Sequence, residues 1–130
     1  MPATLLTAAE HCEQNPELHH ERILALKDAI ELLSGKWKFC ILLGLYNYGA
    51  LRFKDLQEKS AGITPKVLSK ELQELEDNLL ITRTVNNTKP VTVTYALTRH
   101  AIETRPVINA LIEFGLKHRA KIKDNYRSES

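Results

Sequence analysis

Apolar residues recur along this chain at two periods, and the places where the period changes mark its elements. Asn15 followed by Pro16 reads as a helix cap with proline in the first turn. Ile23, Leu26, Ile30 and Leu33 then repeat at helical spacing until Ser34 and Gly35 end the run. From Lys36 to Asn47 the polar face disappears. Trp37, Phe39, Cys40, Ile41, Leu42, Leu43 and Leu45 surround this segment, which predicts a buried central helix closed by Tyr48 and Gly49. Arg52 to Lys59 predicts a short helix with Phe53 and Leu56 inward, and Ala61, Gly62 and Ile63 predict a turn. Thr64 caps the next helix and Pro65 takes its first position, whereas Val67 stands where a capping box needs glutamate. Leu68, Leu72, Leu75 and Leu79 line one face of that helix. Lys66, Ser69, Lys70 and Gln73 line another.

Beyond this helix the period falls to two. Ile81 to Val85 and Val91 to Leu97 alternate and are rich in β-branched residues, and the turn-forming stretch Asn86 to Pro90 joins them into a predicted hairpin. Thr98 opens a last helix, expected to kink at Arg105 and Pro106. After the kink, Ile108, Leu111, Ile112, Gly115 and Ile122 form a stripe with Leu116 at its margin. A short helix, a turn, a longer helix and a hairpin, in that order, predict a winged helix-turn-helix. The expected fold class is therefore mainly α with a small β-hairpin (α+β), flanked by N- and C-terminal dimerisation helices. The expected organisation is a mobile segment at 1–15, one domain at 16–123 and a disordered tail at 124–130. The last stripe offers more apolar surface than the domain core uses. Ile23, Leu26, Ile108, Leu111, Ile112 and Gly115 are thus the expected interface between two copies, with packing back onto the same domain as the competing arrangement.

Composition narrows the class further. A chain of 130 residues suits one domain of ordinary size. Two cysteines do not make a disulfide scaffold, so the expected location is the cytoplasm. Residues 1–10 lack the basic-then-apolar pattern of a secretory signal, and the longest apolar run, Phe39 to Tyr46, falls far short of the roughly 20 residues that span a bilayer. No membrane partner is expected.

Net charge decides little, since +2 and a pI of 8.6 fall short of a strongly basic nucleic-acid domain. Distribution is more informative. From Lys36 to Lys70, seven bases (Lys36, Lys38, Arg52, Lys54, Lys59, Lys66 and Lys70) face only Asp55 and Glu58, and the acids Glu71, Glu74, Glu76 and Asp77 follow. The helix after Gly62 thus changes sign halfway along. It suits a helix that presents its N-terminal half to a polyanion and keeps its acidic end outside the groove. Lysine and glutamine can pair with base edges, and serine with base or phosphate. Thr64, Lys66, Ser69, Lys70 and Gln73 are therefore the candidate major-groove residues. Arg83, Asn86, Asn87 and Lys89 are the candidate wing contacts, and Lys36, Arg52 and Lys54 further phosphate contacts. Read alone, the same spacing fits a surface helix with solvated lysines, and only the order of the elements favours DNA.

Other chemistry finds little support. His11, Cys12, His19 and His20 match no common zinc spacing, and no nucleophile elbow or glycine-rich phosphate loop is present. No metal, cofactor or enzymatic activity is expected. Cys40, in the most apolar helix, is expected to fill the core, and the acids near Cys12 disfavour its thiolate.

Several separated motifs carry a resemblance. These are Leu33-Ser34-Gly35-Lys36-Trp37, Arg52-Phe53 with Leu56, Gly62-Ile63-Thr64 with Lys66, Leu68 and Ser69, Leu72 with Leu75-Glu76, Tyr95 with Leu97-Thr98, and Pro106-Val107. In this order and spacing, from about residue 24 to 116, the chain resembles the HxlR-type bacterial transcriptional regulators among the MarR-like DNA-binding proteins. The resemblance implies a winged-helix homodimer that binds double-stranded operator DNA, with terminal helices at the dimer interface. Many members carry a Cys-Pro pair at the start of the first domain helix, whose thiol in several of them senses oxidants or electrophiles, and here Leu24 and Ala25 stand in its place. Sensing through that thiol is excluded. A small-molecule effector of unknown identity remains an expected partner, in a cleft between the first helix, Trp37 and the last helix of the other copy. The resulting expectation is a sequence-specific regulator acting on a roughly palindromic operator. The alternative is a winged helix used only for protein–protein interaction.

Overall fold

A computed structural model describes residues 15–129. Apart from Asn15, the expected mobile segment at 1–15 lies outside the described residues, as does Cys12. The chain divides after Gly35 into two compact units. The first carries α1, Pro16–Leu33, whose amide nitrogens at Glu17 and Leu18 donate to the Asn15 side chain, as the Asn-Pro signal predicts. Only Leu33 is buried on α1, while Leu18, Leu24, Leu26 and Ile30 are exposed.

The second unit runs α2 (Lys38–Tyr48), β1 (Leu51–Arg52), α3 (Phe53–Lys59), α4 (Pro65–Asp77), β2 (Ile81–Asn86), β3 (Thr92–Leu97), a 3-10 helix (His100–Thr104) and α5 (Arg105–Glu129). Ile41, Leu42 and Leu45 of α2, Leu56 of α3 and Leu68, Leu72 and Leu75 of α4 form its core with Leu80, Ile81, Tyr95 and Ala101. Burying each large aliphatic side chain contributes about 1.5–3 kcal/mol, so this cluster, rather than helix propensity, holds the short helices in place. Gly49, at φ 77°, and Gly62, at φ 91°, make the two turns that punctuate α2 and α4, in a left-handed region that side chains disfavour.

Four local features depart from the sequence pattern. First, α2 is buried along one stripe rather than all round: Phe39 and Leu43 are half-buried and Cys40 is exposed, so Cys40 does not fill the core. Phe39, Cys40 and Leu43 instead line a groove open to solvent. Second, α4 ends at Asp77, and Leu79 leaves its stripe. Leu79 sits at φ 66° with 69% of its surface exposed, and Leu80 takes the buried place as its N–H bonds Leu75 O at 3.0 Å. Third, the hairpin gains a third strand. The sheet order is β1-β3-β2, all antiparallel, with Leu51 opposite Tyr95 and Arg83 opposite Tyr95 on the other side.

Fourth, Pro106 does not kink a helix. The 3-10 helix precedes it, and Pro106 falls in the first turn of α5, where no amide hydrogen is required. The Tyr46 hydroxyl donates to Ala101 O and lies 3.1 Å from Thr104 Oγ1, tying this junction to α2. α5 then continues through residues 124–129, so the expected disordered tail is helical there.

Candidate nucleic-acid interface

The turn between α3 and α4 sets the geometry of the site. Thr64 Oγ1 accepts from Val67 N at 3.2 Å, which caps α4 without a reciprocal glutamate. The Leu68, Leu72 and Leu75 stripe faces the core, so the opposite face carries Lys66, Ser69, Lys70 and Gln73, all exposed, with the exposed cap Thr64 at its N-terminal end. This gathers four of the five candidate major-groove residues on one side of one helix, with the fifth, Thr64, at its cap. No carboxylate lies within ion-pair distance of Lys66 or Lys70 among the described residues. Gln73 Nε2 bonds Asp77 Oδ1 at 2.8 Å on the exposed surface, a pairing that a base edge can replace.

The wing residues divide. Arg83, Asn87 and Lys89 are exposed, whereas Asn86 is half-buried and spends its amide on Thr92 Oγ1 at 3.2 Å and Thr94 Oγ1 at 3.3 Å. Asn86 therefore braces the hairpin, and Asn87 and Lys89 are the outward polar groups of the turn. Lys36, Arg52 and Lys54 are exposed. The Lys36 ammonium lies 4.9 Å from the centre of the Trp37 ring, and Arg52 Nε lies 3.9 Å from Asp55 Oδ2, a surface pair too weak to withhold the guanidinium from a phosphate.

Lys38 behaves differently from the other bases. It is 6% exposed, with Nζ 2.7 Å from Glu71 Oε2 and 2.5 Å from Glu74 Oε2 on α4. Glu71 Oε2 is buried, with the Lys38 ammonium 2.7 Å away as its charge partner. Burial opposes the Lys38 charge, but the hydrogen bonds and fields of the two glutamates outweigh it and hold the ammonium above the ordinary lysine range. The Lys38 hydrogen bond and charge hold Glu74 below the ordinary carboxylate range, with Lys70 adding to the effect. Of the seven bases between Lys36 and Lys70, Lys38 is therefore turned inward, and of the acids that follow, Glu71 and Glu74 are paired with it. The signal was present in the spacing: Lys38 precedes Ile41, Leu42 and Leu45 by 3, 4 and 7 positions, and Glu71 shares the stripe of Leu68, Leu72 and Leu75.

The stripe expected at the dimer interface also divides. Ile108 is 4% exposed and belongs to its own domain, whereas Leu111 and Ile112 remain exposed, Gly115 is half-buried, and Leu26 is exposed with Ile23 half-buried on α1. Phe39, Cys40, Leu43, Ile108, Leu111 and Ile112 line an apolar groove of 290 Å³. Among the described residues no cluster of metal-ligating side chains is present, and no helix is long and apolar enough to cross a membrane.

A short helix, a glycine turn, a capped helix with a basic outer face and a three-stranded wing define a winged helix-turn-helix. Residues 32–123 match the family described as HxlR-like helix-turn-helix, and the chain belongs to that family. It is 37% identical over 89 residues to an uncharacterised HTH-type transcriptional regulator of Halalkalibacterium halodurans, covering 68% of this chain and 79% of the relative. It is 35% identical over 95 residues to another from Methanothermobacter thermautotrophicus, covering 73% and 72%. Among solved structures, the HTH-type regulator YtcD, a protein of Bacillus subtilis, superimposes with a TM-score of 0.69 at 32% identity, covering 73% of this chain and 96% of that one. The reduced form of the redox regulator HypR gives a TM-score of 0.71 at 25% identity, covering 77% and 98%. Family and fold together make this chain a DNA-binding transcriptional regulator of the winged-helix class.

Proposed function

We propose that the protein binds a roughly palindromic operator as a homodimer, with α4 of each copy in the major groove and the hairpin turn along the adjacent backbone or minor groove. The observation that carries this reading is the outer face of α4, where Lys66, Ser69, Lys70 and Gln73 stand exposed above a buried leucine stripe, with Thr64 exposed at the cap. Arg83, Asn87 and Lys89 would supply wing contacts, and Lys36, Arg52 and Lys54 phosphate contacts. Two-fold symmetry requires half-sites about 34–36 Å apart, one turn of DNA. The exposed Leu111, Ile112, Phe114 and Leu116 of α5, and the exposed Leu24, Leu26 and Ile30 of α1, supply apolar surface for a second copy. This reading assigns the chain no enzymatic activity and a cytoplasmic location, in line with relatives that are regulators.

The test is a salt titration of operator binding. Lys66→Ala/Lys70→Ala is expected to weaken binding and to lower the slope of log affinity against log salt by about two, roughly one for each phosphate no longer neutralised. An unchanged slope contradicts the assignment of α4.

A further inference from the structure

A stripe of leucines holds a helix onto a core by burial, which is non-directional, whereas an ion pair adds a contact directed at one point along the helix. Recognition of base edges tolerates little turning or sliding of the helix. On α4 the leucine stripe is supplemented by a charged bracket: Lys38 Nζ, at the start of α2, stands between Glu71 and Glu74, one turn apart, at 2.7 and 2.5 Å. Glu71 directly follows Lys70 and Glu74 directly follows Gln73, so the bracket grips α4 along the flank between its leucine stripe and the segment that would meet base edges. Resting on the DNA-binding reading above, we infer that Lys38 is a positioning residue for DNA recognition, fixing the rotation and axial position of α4 while touching no DNA itself.

Three features of the bracket support this. Lys38 is 6% exposed, which leaves its ammonium no access to a phosphate. Three charges share one small volume, and the glutamates hold the ammonium above its ordinary range despite burial. The Glu71 side chain is 12% exposed, so its charge is held away from water against Lys38, a desolvation cost that an apolar side chain at 71 avoids. Buried ion clusters are weak sources of stability, and their best-attested use is to fix register. The retention of charge on this stripe is accordingly explained by alignment of α4 rather than by folding energy.

The experiment compares the full-length protein with Lys38→Met/Glu71→Met, a pair of substitutions that removes one charge of each sign. Thermal melting and titrations with a selected operator duplex and a scrambled duplex are measured for each. The double variant is expected to melt at or above the wild-type temperature. Its ratio of operator to scrambled affinity is expected to fall about tenfold, the cost of misplacing roughly one base contact. Its salt slope should be unchanged, since every phosphate-facing base is still in place. Glu74→Gln, at a side chain 40% exposed, loosens one arm of the bracket without burying an orphan and is expected to give a smaller loss of the same ratio. An undiminished ratio in either folded variant overturns the inference and leaves the DNA-binding reading intact. Equal affinity of the wild type for every duplex overturns both.

Discussion

At the scale of single residues, the separation of roles among the lysines matters most. Lys66 and Lys70 stand in solvent on the outer face of α4, while Lys38, from the same basic stretch, is buried against Glu71 and Glu74. Their effects on pH dependence follow. The Glu74 carboxyl is held low by Lys38, so its contribution to stability is present above the ordinary carboxylate range and is lost as pH falls through its depressed value. The Lys38 ammonium is held high, so its contribution is present below the ordinary lysine range and is lost as pH rises through its raised value. Across neutral pH both are complete. Urea unfolding of wild type and Glu74→Gln should therefore show a constant difference in midpoint between about pH 6 and 8 that shrinks below roughly pH 4. A difference that persists unchanged to about pH 3 contradicts the ion pairing.

At the scale of elements, α5 and the wing show what periodicity conveys and what it omits. The α4 leucines, the Thr64-Pro65 start and the alternating β2 and β3 runs are readable because each repeats over several residues or has a cap with its own chemistry. β1 is not, since two residues have no period and Leu51 and Arg52 become a strand only by pairing with Tyr95 and Thr94 of β3. Pro106 misleads because proline marks a kink and a first turn alike, and the 3-10 helix that settles the choice depends on Tyr46, 55 positions before Ala101. Ile108 and Leu111 share one stripe in the sequence, yet only Ile108 meets its own core. The outer face of α4 is legible residue by residue, whereas the bracket beside it requires the packing of α2 on α4. Charging the exposed part of the α5 stripe tests its role as an interface. Leu111→Lys/Ile112→Glu is expected to shift sedimentation from dimer to folded monomer and to weaken operator binding at least about tenfold, because only one half-site is then engaged at a time. A variant that still sediments as a dimer contradicts the assignment of α5.

At the scale of the whole molecule, a net charge of +2 gives little general attraction for DNA, so affinity must come from where the charge is placed. Glu71 and Glu74 of α4 are paired with Lys38, the bases of its first half face outward, and the hairpin turn offers Lys89 further along the chain. Such a molecule needs shape and symmetry to bind tightly, and two copies presenting two α4 helices meet that need. The central claim is tested most directly by selecting binding sites from random duplexes with the purified protein, beside the Lys66→Ala/Lys70→Ala variant. The account predicts enrichment of an inverted repeat with half-sites about one helical turn apart for the wild type, and little or none for the variant. Absence of any enriched sequence from the folded wild type would contradict it, and would favour a winged helix that serves protein partners alone.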